Sequence, residues 1–119
     1  MGFLKNVLGK KKKTTRYCSA VIVAGGKSTR MEGEDKILAP LGGEPLILHG
    51  LEPFQASYLV DEIVIVARED LMAPIGDLCS RKGITKVRRV VNGGAARQDS
   101  VLAGIQAADE RADIIAIHD

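Results

Sequence analysis

The chain has 119 residues, 45% of them hydrophobic but only 3% aromatic, so one buried core is expected, built from Val, Ile, Leu and Ala rather than from rings. That composition sets disorder aside for most of the chain, and a formal charge of +2, concentrated near the start, leaves the remainder close to balanced. No apolar run reaches the roughly 18 residues of a membrane span, and the first residues lack the apolar centre of a secretory leader, so a cytoplasmic location without membrane insertion is expected.

Residues 1–16 join a short apolar patch to Lys5, Lys10, Lys11, Lys12, Lys13 and Arg16. They read as a basic, flexible, solvated tail with no nucleic-acid partner. The myristoylation pattern fails because Asn6 stands where Ser or Thr is needed. The folded domain is expected over residues 17–119.

Cys18 to Val23 is a continuous run of small and β-branched residues ending in glycines, which predicts a buried strand and a tight loop. Ile37 to Leu41 reads as a short extended piece closed by Gly42 and Gly43, and Pro45 stands where a helix begins without wasting a backbone donor. That helix is expected to reach about Ser57. Asp61 to Ala67 is the next buried strand; Asp70 is the expected cap of a helix running to about Lys82, with Gly83 as its stop. Lys86 to Val91 reads as a strand, Asn92 to Ala96 as a loop, Arg97 to Arg111 as a helix and Asp113 to Ile117 as a last buried strand. Cys18 and Cys79 have no partner spacing for zinc or a redox pair and read as reduced, buried thiols. His49 reads as an ordinary, partly buried helical residue.

Strands alternating with helices predict the α/β class: a Rossmann-like three-layer sandwich around a mostly parallel sheet. Such sheets bind ligands at the carboxyl ends of their strands. Here those ends carry three stretches, Ala24 to Arg30, Asn92 to Arg97 and His118 with Asp119, which the fold should bring to one edge.

The first stretch is Ala24-Gly25-Gly26-Lys27-Ser28-Thr29-Arg30-Met31. Glycines directly after a buried strand let the backbone approach a ligand and turn its amides toward phosphate oxygens. A Walker A loop is excluded because Val21 stands where its first glycine belongs, and the dinucleotide fingerprint is excluded because Lys27 replaces its second glycine. Nucleotidyl transfer must neutralise a crowded triphosphate and the charge growing on departing pyrophosphate. Arg30 suits a fork onto two phosphate oxygens and Lys36 a mobile point charge. The second stretch, Asn92 to Val101, places Gly93 and Gly94 before a helix, where a flat base could lie against backbone while the Ser100 hydroxyl reads its polar edge; Asp99 or Ser100 could equally serve only as a helix cap. Asp119, after a buried strand, is placed to hold Mg²⁺ through oxygen contacts, whereas His118 reads as structural.

With these residues the sequence resembles the 2-C-methyl-D-erythritol 4-phosphate cytidylyltransferases of isoprenoid precursor synthesis, from Cys18 to Asp119. The resemblance rests on Ala24, Gly25, Gly26, Arg30, Met31 and Lys36, then on Gly93, Gly94, Arg97, Asp99, Ser100 and Val101, and finally on His118 and Asp119. It implies a nucleotidyltransferase fold of which the chain holds the first part, with CTP and a sugar-alcohol phosphate as substrates and Mg²⁺ as cofactor. It implies that Arg30 and Lys36 stabilise the transition state, that Ala24, Gly25 and Gly26 help bind the nucleotide, that Gly94 and Ser100 recognise cytosine, and that Asp119 lies by the ribose and metal-bound phosphates. It further implies a homodimer, with the dimer arm, the substrate-binding arm and a second phosphate-binding lysine beyond Asp119, so that the 119-residue chain alone is expected to be incomplete as an enzyme.

Two departures bear on specificity. Asp35 stands where the family commonly has proline before the lysine, and Lys27-Ser28-Thr29 replaces a more usual glycine-containing form. The Gly-Gly-x-Ser form is shared with molybdenum-cofactor guanylyltransferases, and ribitol-5-phosphate cytidylyltransferases differ in acceptor. Those two activities and a non-catalytic nucleotide-binding fragment are the alternatives.

Overall fold

The computed structural model describes residues 16–24, 30–31, 34–35, 40–41 and 44–119. Most of the expected basic tail lies outside the described residues, as do Gly25, Gly26 and Lys36. Strand β1 (Cys18–Val23) is followed by two short antiparallel hairpins, β2 (Arg30–Met31) with β3 (Glu34–Asp35) and β4 (Pro40–Leu41) with β5 (Glu44–Pro45). Then come α1 (Leu46–Ala56), β6 (Glu62–Ala67), α2 (Glu69–Arg81), β7 (Val87–Asn92), α3 (Arg97–Ala107) and β8 (Ile114–His118).

The long strands form one parallel sheet in the order β7-β6-β1-β8. From β1 the chain steps outward through β6 to β7, and then returns to the far side of β1 for β8. The order therefore reverses between β1 and β8, and crevices at such reversals are where open α/β sheets take ligands.

Both faces of the central strands are apolar because both are covered. On one face Ala20 and Ile22 of β1 and Ile63 and Ile65 of β6 meet Leu48 and Leu51 of α1 and Leu71, Ile75 and Leu78 of α2. On the other, Val21, Val64 and Val66 meet Ala107 of α3 and Ile115 of β8. The three layers are thus α1 and α2, the sheet, and α3. Gly104 lets α3 lie close: a Cβ there would run into the Val21 side chain and stand 3.0 Å from Val66 Cγ2.

The helices differ from the sequence expectation at their ends. Pro45 closes β5 and is itself the residue before α1, with φ −56° and ψ 141°, and Ser57 follows the last turn as expected. Arg68, not Asp70, precedes α2; Asp70 lies in the first turn and holds the Arg68 guanidinium through bonds of 2.9 Å from Nε and from Nη2. Gly83 does stop that helix, with φ +72°, a conformation that favours glycine. The expected helix to Arg111 ends at Ala107 because Asp109 captures the chain twice. Its carboxylate accepts from the Arg111 backbone N–H at 2.8 Å and from the Arg111 guanidinium, while its own N–H donates to Glu62 Oε2 at 2.6 Å. Glu62 is 1% exposed and also accepts from the Ser19 hydroxyl at 2.5 Å, so its buried carboxylate is hydrogen-bonded as the interior requires. This knot ties β1, β6 and the end of α3 together at the amino ends of the strands.

Candidate functional site

At the carboxyl edge, Ala24 N–H donates to Val66 O at 2.8 Å and Gly93 N–H to Ala67 O at 3.0 Å, so the loops leaving β1 and β7 are both tied to the end of β6. Beyond β7 the chain folds back on the start of α3. Ser100, 1% exposed, accepts from Gly94 N–H at 3.2 Å, and Asp99 Oδ2 accepts from Ala96 N–H at 3.2 Å. Asp99 therefore serves the helix N-terminus, whereas Ser100 holds the glycine loop. The two glycines are required by the chain itself: a Cβ on Gly93 would come within 2.5 Å of Ser100 Oγ, and one on Gly94 would collide with Asp99 Cβ.

A pocket of about 350 Å³ opens beside this loop, lined by Ala67, Arg68, Asp70, Gly93, Gly94 and Ser100. It offers the backbone of the glycine pair, the Ser100 hydroxyl and, from the α2 side, Arg68 with two carboxylates, Glu69 and Asp70. Only the glycines and Ser100 are foreseen from the sequence; Arg68 and Asp70 reach the pocket because α2 starts where β6 ends, one strand away from β7.

A second pocket, of about 530 Å³, lies at the reversal between β1 and β8. Ala24, His49, Gly50, His118 and Asp119 line it. His49 is exposed on α1 and faces this pocket rather than being partly buried as its sequence context suggests. The His118 ring tilts on Phe54, with centroids 5.5 Å apart.

The start of α3 and the residue after β8 are joined by a contact that the sequence does not announce. Arg97, the first residue of α3, forks onto Asp119: Nε to Oδ2 at 2.8 Å and Nη2 to Oδ1 at 2.9 Å. The second and third expected stretches are thus brought together, and Ala24 from the first shares the pocket of Asp119. Arg30 has its backbone in the β2–β3 hairpin, paired with Asp35, while Gly25, Gly26 and Lys36 lie outside the described residues.

Among the described residues no group of three or more His, Cys, Asp or Glu is placed to enclose a metal. Mg²⁺ commonly takes one or two carboxylates and completes its shell with substrate phosphates and water, and the lone Asp119 carboxylate suits that mode. Among the described residues, the groups with displaced pKa values sit elsewhere. Burial pushes Tyr17 up, helped by Glu62 and Asp109, and hydrogen bonds from Arg111 hold Asp109 well below the usual carboxylate range. Both belong to the amino end of the sheet, and burial likewise raises the Cys79 thiol inside the core. The described carboxyl edge instead carries the glycine loop with Ser100 and two arginine–carboxylate pairs, Arg68 with Asp70 and Arg97 with Asp119.

No helix among the described residues is long and apolar enough to cross a membrane. Among curated proteins, the 2-C-methyl-D-erythritol 4-phosphate cytidylyltransferase of Dehalococcoides mccartyi (strain CBDB1) is 46% identical over 88 residues, which is 74% of this chain and 39% of that protein. The enzyme of the same name from Clostridium botulinum (strain Okra) is 36% identical over 102 residues, 85% of this chain and 44% of its own length. Among solved structures, the 4-diphosphocytidyl-2C-methyl-D-erythritol synthase of Anaerococcus prevotii superposes with a TM-score of 0.73 and 25% identity over 88% of this chain and 43% of that one. The chain spans less than half the length of these relatives. Residues 18–119 match the family model for IspD, 2-C-methyl-D-erythritol 4-phosphate cytidylyltransferase, and the chain belongs to that family.

Proposed function

We propose that this chain is the nucleotide-binding part of a CTP-dependent enzyme that makes 4-diphosphocytidyl-2-C-methyl-D-erythritol from 2-C-methyl-D-erythritol 4-phosphate and releases pyrophosphate. The observation that carries the reading is the glycine loop of residues 93–94 locked over Ser100 at the carboxyl edge of a sheet whose family is the cytidylyltransferases. A cytosine ring in the adjoining pocket meets backbone and a hydroxyl, which read its N4 and O2 edge. Sugar and phosphates then extend toward the reversal between β1 and β8, where Ala24 and Asp119 line the larger pocket; Gly25 and Gly26, next to Ala24 in sequence, are assigned to the same nucleotide.

In the reaction an oxygen of the acceptor phosphate attacks the α-phosphorus of CTP in line. The new P–O bond forms as the bond to the β-phosphate bridging oxygen breaks, and pyrophosphate leaves with the electron pair. The nucleophile is already an anion, so no residue must take a proton, and the work is electrostatic. Arg30 and Lys36 supply positive charge to the phosphates as negative charge moves to the leaving group. Mg²⁺, held by Asp119 and the phosphates, supplies further charge neutralisation when bound.

The test is calorimetric titration of the chain with CTP and with GTP in the presence of Mg²⁺, with Arg30→Ala as control. CTP is expected to bind more tightly than GTP, and Arg30→Ala to weaken CTP by about tenfold, the scale of one charge-assisted phosphate contact. A preference for GTP, or equal CTP binding by wild type and mutant, overturns the assignment of base or of Arg30. Pyrophosphate release in the longest available form of the protein, compared between 2-C-methyl-D-erythritol 4-phosphate and ribitol 5-phosphate, tests the acceptor.

A further inference from the structure

The sheet order places two strands, β6 and β1, between the end of β7 and the end of β8. The chain leaving β7 covers that interval, and the Arg97–Asp119 fork then joins the residue that starts α3 to the residue that follows β8. It joins the element carrying Gly94 and Ser100 to the pocket lined by Ala24 and Asp119. Both bonds are short and both carboxylate oxygens are used, the two-point geometry that fixes a direction as well as a distance. Each oxygen keeps a further lone pair free for another partner.

Stability does not explain the pair. The Arg97 and Asp119 side chains are 61% and 56% exposed, and ion pairs this open hold a fold only weakly. What the fork does determine is where the Asp119 carboxylate stands relative to the base-side loop. Resting on the nucleotide reading above, we propose that Arg97 is a positioning residue, which sets the Asp119 carboxylate for the metal-bound phosphates and couples that end of the cleft to the Gly94–Ser100 end. Arg97 acts through Asp119. A lysine at that position supplies charge but only a single point of contact, so it keeps the attraction and loses the direction.

The experiment compares cytidine, which lacks the phosphates that Mg²⁺ and Asp119 would hold, with CTP in MgCl₂, using the wild-type chain and Arg97→Gln, Arg97→Lys, Asp119→Asn and the Arg97→Gln/Asp119→Asn double variant. Arg97→Gln is expected to leave cytidine affinity and the urea midpoint unchanged and to weaken CTP in Mg²⁺ about tenfold, in the range of coupled contacting pairs. Arg97→Lys should recover part of that loss. In the Asp119→Asn background Arg97→Gln should change nothing further. Losses that multiply in the double variant, or an equal loss of cytidine binding, overturn the positioning role while leaving the nucleotide reading intact. A wild-type chain that binds neither ligand removes the nucleotide reading, and the role of Arg97 with it.

Discussion

Replacing Gly93 by alanine tests whether the glycine loop is held by its own chain. The new Cβ would stand 2.5 Å from Ser100 Oγ, 3.0 Å from Val66 Cγ1 and 3.2 Å from Ser100 Cβ. Val66 is fully buried on the central strand β6 and cannot retreat, so Ser100 must move. Overpacking of this kind costs about 1–3 kcal/mol, and moving Ser100 Oγ forfeits the bond from Gly94 N–H, about 0.5–1.5 kcal/mol more. The expected loss in equilibrium urea unfolding is therefore about 1.5–4.5 kcal/mol, a large share of a small domain's stability. The same displacement moves the hydroxyl assigned to cytosine, so CTP affinity should fall in any fraction that remains folded. Ser100→Ala removes the offending oxygen; in that background Gly93→Ala should cost only about 1 kcal/mol, set by the remaining Val66 and Ser100 Cβ contacts. Strict additivity of the two substitutions, or a Gly93→Ala cost near zero, would show that the loop yields freely and that Ser100 is not its anchor.

Gly104→Ala sets helix propensity, worth about 1 kcal/mol in favour of alanine, against a Cβ driven into Val21 and 3.0 Å from Val66, both fully buried. Overpacking of about 1–3 kcal/mol should outweigh it, for a net loss of up to about 2 kcal/mol by urea unfolding; a stabilised variant would mean that α3 stands off the sheet. The buried Cys79 thiol, pushed above its ordinary value of 9.0, stays neutral in the fold where the unfolded chain would ionise. Its contribution is complete below pH 9 and is lost as pH rises through the folded value, so stability measured from pH 8 to 10.5 should fall more steeply in wild type than in Cys79→Val. Parallel curves for the two proteins would remove burial as the cause.

The fold is legible in the sequence wherever both faces of an element are covered. Residues 62–67 form an uninterrupted apolar run after Glu62, and only a central parallel strand buries every one of them, as β6 does. Helix ends are less legible because their partners are distant. Asp70 has the residue type of a cap and the right neighbourhood, yet Arg68 precedes the helix and takes the carboxylate for its own guanidinium. The end of α3 is set by Glu62, 47 residues earlier, receiving Asp109 N–H. Periodicity along residues 97–111 contains no trace of that contact, so the helix is read four residues too long.

The site divides along the same line. Gly93, Gly94 and Ser100 are visible because a glycine pair before a helix is a local pattern, and the structure gives it a local cause in the crowding of Ser100 and Asp99. Arg97 and Asp119 are each visible only as members of a family motif, the one a surface charge at a helix start and the other a carboxylate after a strand. Their fork depends on the return of the chain from β7 to the far side of β1, which no short window of sequence encodes. The same return creates the reversal between β1 and β8 and hence the larger pocket. Topology, then, makes the cleft and closes the Arg97–Asp119 bridge in one step. In the proposed nucleotide reading, the Gly93–Gly94 loop and the Asp119 carboxylate act on one nucleotide only because α3 starts beside the first and leads into the strand that precedes the second.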